Sequence, residues 1–179
     1  MYSIGAKPTI ESERLYMDAY KAIVSKRDRR EYQSTPIPEE ITQRILQAGR
    51  MAGSSSNSQP IRYIILDDRA VLESLVTAGR GATPLLRSPL PIAVMLPKGS
   101  RDFDVGRSVQ NMMIAAWAEG IISCPVGIQD QEKAREALGH PDDYNVAIAV
   151  AFGYPEEGSP TSRGQARLPL EDIIKHGKW

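Results

Sequence analysis

The chain has 179 residues, 41% hydrophobic and 25% charged, a composition that suits one folded domain and excludes a disordered chain. Basic and acidic side chains balance at 22 each, so no global field draws the chain to nucleic acid or to a membrane surface. One cysteine, Cys124, closes no internal disulfide, and Met1–Ser12 lacks a signal pattern. No apolar run approaches the ~18–20 residues of a membrane span, and together these features predict a cytoplasmic location.

Met17, Tyr20, Ile23 and Val24 share one face of a predicted helix from Met17 to Ser25, which ends in the charged run Lys26-Arg27-Asp28-Arg29-Arg30-Glu31. Thr35 to Glu40 reads as a loop and a helix start, with prolines near the first turn and Glu39 and Glu40 against its dipole. Ile41, Ile45, Leu46 and Ala48 keep helical period until Gly53 and the serines after it. Ile61–Leu66 reads as a buried strand and Ala70–Ala78 as a short helix broken by Gly79-Arg80-Gly81. Pro89–Leu96 holds a second strand. Asp102–Glu119 is the strongest helix, with Asp102 or Asp104 as its expected cap and Val105, Val109, Met112, Met113 and Ala116 along one side. Its largely apolar surface predicts a place at the centre of the fold or at a subunit contact. Ile121–Val126 and Val146–Phe152 read as strands, and Gln131–Leu138 between them as a helix. After Tyr154-Pro155 the chain turns polar, then ends in an apolar patch from Leu168 to Ile174 with Trp179, which predicts a docking tail. The pattern is that of one α+β domain over residues 1–179.

Four segments carry polar chemistry. Ser54-Ser55-Ser56-Asn57-Ser58-Gln59-Pro60 lies between a helix end and a strand start and offers neutral donors and acceptors. By itself it fits a hydrogen-bonding edge for a planar ligand and a plain polar turn equally well. Lys26 to Arg30 places four cations within five residues, which suits a phosphate or a solvated helix end. Cys124-Pro125-Val126-Gly127-Ile128 has a backbone that can approach a flat ligand, or it is an ordinary loop. Arg163 to Arg167 adds late cations. His140 and His176 lack metal-ligand spacing, so no metal is expected.

In their order, these segments resemble the nitroreductase family of FMN enzymes. Lys26, Arg27 and Arg30 fill the basic positions of a motif similar to Arg-Arg-Ser-x-Arg, with Asp28 where serine is usual. Ala52 to Pro60 is similar to Ala-Pro-Ser-x-x-Asn-x-Gln-Pro, with Gly53 for the proline. Pro125-Val126-Gly127-Ile128 resembles the loop packed over the flavin. Gly153-Tyr154-Pro155 and Arg167-Leu168-Pro169 resemble two late signatures.

The resemblance implies a nitroreductase-like α+β fold, with a central, mainly antiparallel sheet flanked by helices. It implies an interlocked homodimer whose tails, about residues 155–179, wrap onto the partner. It implies FMN held by Lys26, Arg27, Asp28, Arg30, Ser54, Ser55, Asn57, Gln59, Pro125, Val126, Gly127, Ile128 and Arg167. NADH or NADPH is the expected electron donor, and a nitroaromatic, a quinone or a free flavin the expected acceptor, in two alternating steps. No protein acid, base or nucleophile is expected to be essential, because the flavin carries the chemistry. A specialised branch, either oxygen-dependent and flavin-cleaving or reductively dehalogenating, and a flavin-binding protein without turnover remain as alternative readings.

Overall fold

The computed structural model describes residues 17–159 and 166–179. Two long strands form its centre: β2 (Leu90–Pro97) and β4 (Tyr144–Gly153) pair antiparallel along their whole length. β1 (Arg62–Ile65) adds to the outside of β2 and β3 (Ile122–Val126) to the outside of β4, giving the order β1-β2-β4-β3 with every pair antiparallel. The central strands read as continuous apolar runs because helices cover both faces.

The two faces take alternate residues. Leu90, Ile92, Val94 and Leu96 of β2 join one apolar layer, while Ala93 and Met95 join the other. β4 departs from strict alternation. Val94 pairs with Ile148 but Met95 pairs with Val146, so Ala147 is an extra residue in the ladder. This bulge puts Val146 and Ala149 on the same side, an inversion that simple period-two reading of the strand cannot foresee.

On the first face lie α2 (Glu39–Arg50) and α5 (Asp102–Ala118), packed against each other and burying Ile41, Ile45, Val105, Val109, Met112 and Ala116. On the second lie α3 (Arg69–Val76), α4 (Pro84–Arg87) and α6 (Gln131–Leu138). The helix α1 (Ala19–Ser25) rests on α5, tied by a 2.9 Å hydrogen bond from Trp117 Nε1 to Ser25 Oγ. A short C-terminal helix, α7 (Leu170–Ile173), lies in the tail.

Two expectations from the sequence need correction: β1, read as a buried strand, is exposed at Arg62 and Ile65, and no aspartate caps α5. The residue at the N-cap of α5 is Arg101, whose backbone is extended (φ −87°, ψ 127°), and no side chain caps the helix. Asp102 and Asp104 fall inside the first turn, where they act on the helix dipole instead. The apolar stripe of α1 does not face the core of its own chain. Only Ala22 is buried, while Tyr20, Ile23 and Val24 are 74%, 55% and 48% exposed. The α5 helix does bury one side centrally, as its spacing predicted. Among the described residues no helix is long and apolar enough to cross a membrane, and no His/Cys/Asp/Glu group could hold a metal ion.

Gly49 sets the approach of α2 to α5. A Cβ there would meet Met112 Cγ at 2.7 Å and Tyr63 OH at 2.8 Å. Tyr63 is itself fixed by a 2.5 Å hydrogen bond with the buried Ser108, and its phenol pKa is raised by burial. Replacing Gly49 with valine is expected to destabilise the protein by about 1–3 kcal/mol, measured by urea unfolding, because a packed layer must open. A second prediction concerns pH. Asp130 caps α6, its carboxylate accepting the Lys133 amide at 3.1 Å, and that bond lowers its pKa from the ordinary 3.8. The stabilisation is complete above the ordinary value and is lost as pH falls through the lowered one. Asp130→Ala should therefore be less stable than the parent at neutral pH, and urea unfolding at about pH 2.5 should show the difference closing.

Candidate functional site

The polar segments gather at two places on the sheet. The first is the β3 edge. The backbone of the charged run is stitched to that strand, with a parallel bridge between Asp28 and Ser123 and a 3.2 Å bond from Arg29 N to Ser123 O. The run thus lies beside Cys124 and near the end of β3, where Pro125 and Val126 are paired strand residues and only Gly127 and Ile128 lead off as a loop. Val126 and Ile128 are buried, and Gly127 between them is exposed. That loop is seated on the end of α3: Gln129 N and Asp130 N both bond Ala78 O at 3.0 Å, and Arg80 N donates to Gln129 Oε1 at 2.7 Å. Gly79 permits the contact, since a Cβ there would stand 2.7 Å from the Gly127 carbonyl oxygen. In sequence, Gly79 reads only as a helix breaker; its role in seating the loop shows only in three dimensions.

The cations of the run are not equivalent. Arg27 folds back and donates through Nη1 to Val24 O (2.9 Å) and Lys26 O (2.8 Å), at the C-terminal end of α1. Arg29 bonds the backbone carbonyl and the hydroxyl of Ser159, a buried serine that the sequence did not single out. Lys26 forms an ion pair with Asp28, and its ammonium also meets Met113 Sδ on α5 at 3.4 Å. Its side chain is only 9% exposed. Arg30 is exposed. Burial pushes the Cys124 thiol pKa up, and the Arg30 charge opposes that rise. Tyr32 sits beneath the run at 8% exposure, its hydroxyl donating to Arg29 O at 3.0 Å. Burial raises the Tyr32 pKa far beyond the usual phenol range, so it stays a neutral wall of the cluster. Ser123 Oγ and Arg29 Nε, both here, are buried with no hydrogen-bond partner among the described residues.

The second place is the β1 edge. Ser54 to Pro60 leaves α2 through one 3-10 turn (Ser55–Asn57) and enters β1. Ser54 Oγ accepts from Gln59 N at 2.9 Å and closes the loop. Arg62 donates to Gln59 O and Ile61 O, and Arg107 of α5 donates to Gly53 O at 2.7 Å while lying over the Phe103 ring. Ser56, Asn57 and Gln59 adopt positive φ of 50°, 53° and 49°. Three non-glycine residues in that region of one loop is strain that the surrounding bonds must hold. Ser55, Asn57 and Gln59 are exposed, and a cleft of about 280 Å³ lies along Ser54, Gln59, Pro60 and Tyr63.

The two places lie on opposite edges of the sheet. Following the registers, the end of β3, with Pro125 to Ile128, points the same way as the start of β1, while Asp28 is bridged to Ser123, which registers with Phe152 and Leu90 toward the other end. Three strand spacings separate the edges, roughly 14 Å. Within one chain the structure therefore brings Lys26, Arg27, Asp28 and Arg30 together with Pro125, Val126, Gly127 and Ile128, and keeps Ser54, Ser55, Asn57 and Gln59 apart from them. Arg167 stands in the tail, where every residue from 166 to 179 is exposed. Arg163 lies outside the described residues.

Comparison with known proteins gives the same family as the motifs. A family model described as "Nitroreductase family" matches residues 23–87 and 100–154. A "Putative NADH dehydrogenase/NAD(P)H nitroreductase" of Archaeoglobus fulgidus is 30% identical over 173 residues, covering 90% of this chain and 99% of the relative. An NADH dehydrogenase of Thermus thermophilus is 28% identical over 199 residues, covering 88% of this chain and 95% of the relative. Among solved structures, the NADPH:FMN oxidoreductase from Vibrio harveyi complexed with NAD+ has a TM-score of 0.81 at 20% identity, covering 90% of this chain and 77% of that one. At that identity the likeness is one of fold.

Proposed function

Because the chain belongs to the nitroreductase family, we propose that it is an FMN-dependent oxidoreductase that works as a homodimer. It would pass a hydride from NADH or NADPH to the flavin, and from there to a small acceptor such as a nitroaromatic, a quinone or a free flavin. One observation carries this reading: the two polar segments, Lys26–Arg30 with Pro125–Ile128 and Ser54–Pro60, sit on opposite edges of the sheet in one chain. A second copy would bring the Ser54–Pro60 edge of one subunit to the Lys26–Arg30 edge of the other. The exposed apolar residues support that pairing. Tyr20, Ile23 and Val24 on α1, and Leu168, Leu170, Ile173, Ile174 and Trp179 in the tail, are a large apolar surface for a lone chain.

The residues present fit FMN. Lys26 and Arg30 supply cations for a phosphate, and the unpartnered Ser123 Oγ and Arg29 Nε leave polar capacity beside them. Ser54, Ser55, Asn57 and Gln59 supply neutral donors and acceptors for the ring edge, held in a strained loop that favours one geometry. Beyond the end of β3, Gly127 and Ile128 would supply backbone N–H groups, with Pro125 and Val126 as a flat, partly apolar support. When bound, FMN supplies the acceptance and return of an electron pair. The chain's own work is to bind, orient and exclude water, so no side-chain acid or base is assigned.

Purified protein is expected to bind FMN, seen as a visible flavin spectrum, and the spectrum should bleach anaerobically with NADH or NADPH. A preparation that takes up no added FMN removes the reading. A bound flavin that neither nucleotide reduces leaves a flavin-binding protein without turnover. Replacing both Lys26 and Arg30 with glutamine should weaken FMN binding at least about tenfold, by loss of two charge-assisted contacts. The shared site has its own test. A chain carrying the Lys26 and Arg30 changes, mixed and refolded with a chain carrying Asn57→Ala, should regain flavin binding and turnover. Each mixed dimer would hold one intact site. Mixtures no better than the separate variants would show that each site is built within one subunit.

A further inference from the structure

The charged run holds four cations, and the structure leaves few of them free for an anion. Arg27 is turned onto the carbonyls that end α1, and Arg29 is committed to Ser159. Lys26 and Arg30 remain, and Lys26 already has an anion, the Asp28 carboxylate. The Lys26 side chain is almost fully covered, with Met113 Sδ as its other contact. An ammonium so covered needs a counter-charge, and Asp28 provides it from two residues away. The Asp28 side chain is itself 38% exposed, so it pairs with Lys26 from the open side of the cluster. Lys26, Asp28 and Arg30 together carry one net positive charge where Lys26 and Arg30 alone would carry two.

On the reading that this cluster receives the flavin phosphate, we propose that Asp28 is a built-in competitor for that phosphate. It neutralises Lys26 in the flavin-free protein and weakens the grip on FMN, so that FMN is an exchangeable ligand and not a permanently held one. A dianionic phosphate that approaches Lys26 must either displace Asp28 or share the ammonium with it. Displacement leaves a carboxylate beside a dianion. Sharing weakens the attraction that Lys26 offers. In both cases the phosphate adds less to binding than two free cations would give it. The ring end of the flavin is untouched by this competition. Asp28 is thus a residue that sets discrimination between FMN and riboflavin, which differ only in the phosphate. A site that releases its flavin also suits free flavin as a substrate.

The test is equilibrium titration of the full-length flavin-free protein with FMN and, separately, with riboflavin, followed by quenching of flavin fluorescence. Wild type, Asp28→Asn, Asp28→Ser and Asp28→Glu are compared. Both neutral variants should bind FMN about tenfold more tightly, with riboflavin changed less than about twofold, and Asp28→Glu should stay near wild type. The neutral variants should also melt at lower temperature without flavin, since Lys26 loses its counter-charge. FMN binding that is unchanged or weaker in both neutral variants overturns the proposal, and so does equal tightening of both flavins. The wild type supplies a check that needs no variant to fold. It should prefer FMN to riboflavin by less than about tenfold, and a preference above about a hundredfold overturns the proposal. If neither flavin binds any of the proteins, the flavin reading itself fails, a result distinct from a wrong ratio.

Discussion

The antiparallel pairing of β2 with β4 is the constraint on which everything else rests. Ala149, Val150, Ala151 and Phe152 of β4 and Ile92, Ala93 and Val94 of β2 are wholly buried, so the two strands must be covered on both faces. Covering one face takes α2 and α5, and covering the other takes α3, α4 and α6. With β4 bonded on both sides, β1 and β3 can only be edges. The segments attached to those edges are then held far apart. The basic run is stitched to β3 and the Ser54–Pro60 loop leads into β1, so the two polar segments of one chain stay on opposite edges.

Local strain and buried charge concentrate at those edges, away from the apolar centre. The Ser54–Pro60 loop keeps three non-glycine residues at positive φ, held by Ser54 and by Arg62 and Arg107 reaching onto its backbone. The basic run keeps a covered lysine paired with an aspartate, over a buried tyrosine. Neither arrangement improves packing. Both are the kind of cost that a structure carries where a ligand is to be met. The sheet supplies the rigidity that lets these segments hold such geometry.

Exposed apolar surface completes the same logic. A single chain leaves one side of α1 and the whole described tail in water. The α1 stripe has clean helical spacing, yet it turns away from its own core, because Ser25 is drawn to Trp117 and Lys26 to Met113 on the neighbouring helix. Spacing specifies that such residues share a face; it does not say whether that face meets the same chain or another.

The sequence by itself determined a good deal. Apolar runs bounded by Gly, Pro and Asp marked all four strands, and helical spacing marked the longer helices; burial on both faces explains β2, whereas β1 carries the exposed Arg62 and Ile65. Ordered motifs marked the nitroreductase family. Tertiary structure alone decided the rest. The β4 bulge, the Arg101 start of α5, the seating of Gly127 on Gly79 and the Arg29–Ser159 link all depend on partners distant in the chain. The pairing of Lys26 with Asp28 is local in sequence, but its weight comes from the cover that α5 places over the lysine. Motif order tells which family the chain belongs to. Strand order, set by how the apolar faces are covered, tells which polar segments one chain can bring together.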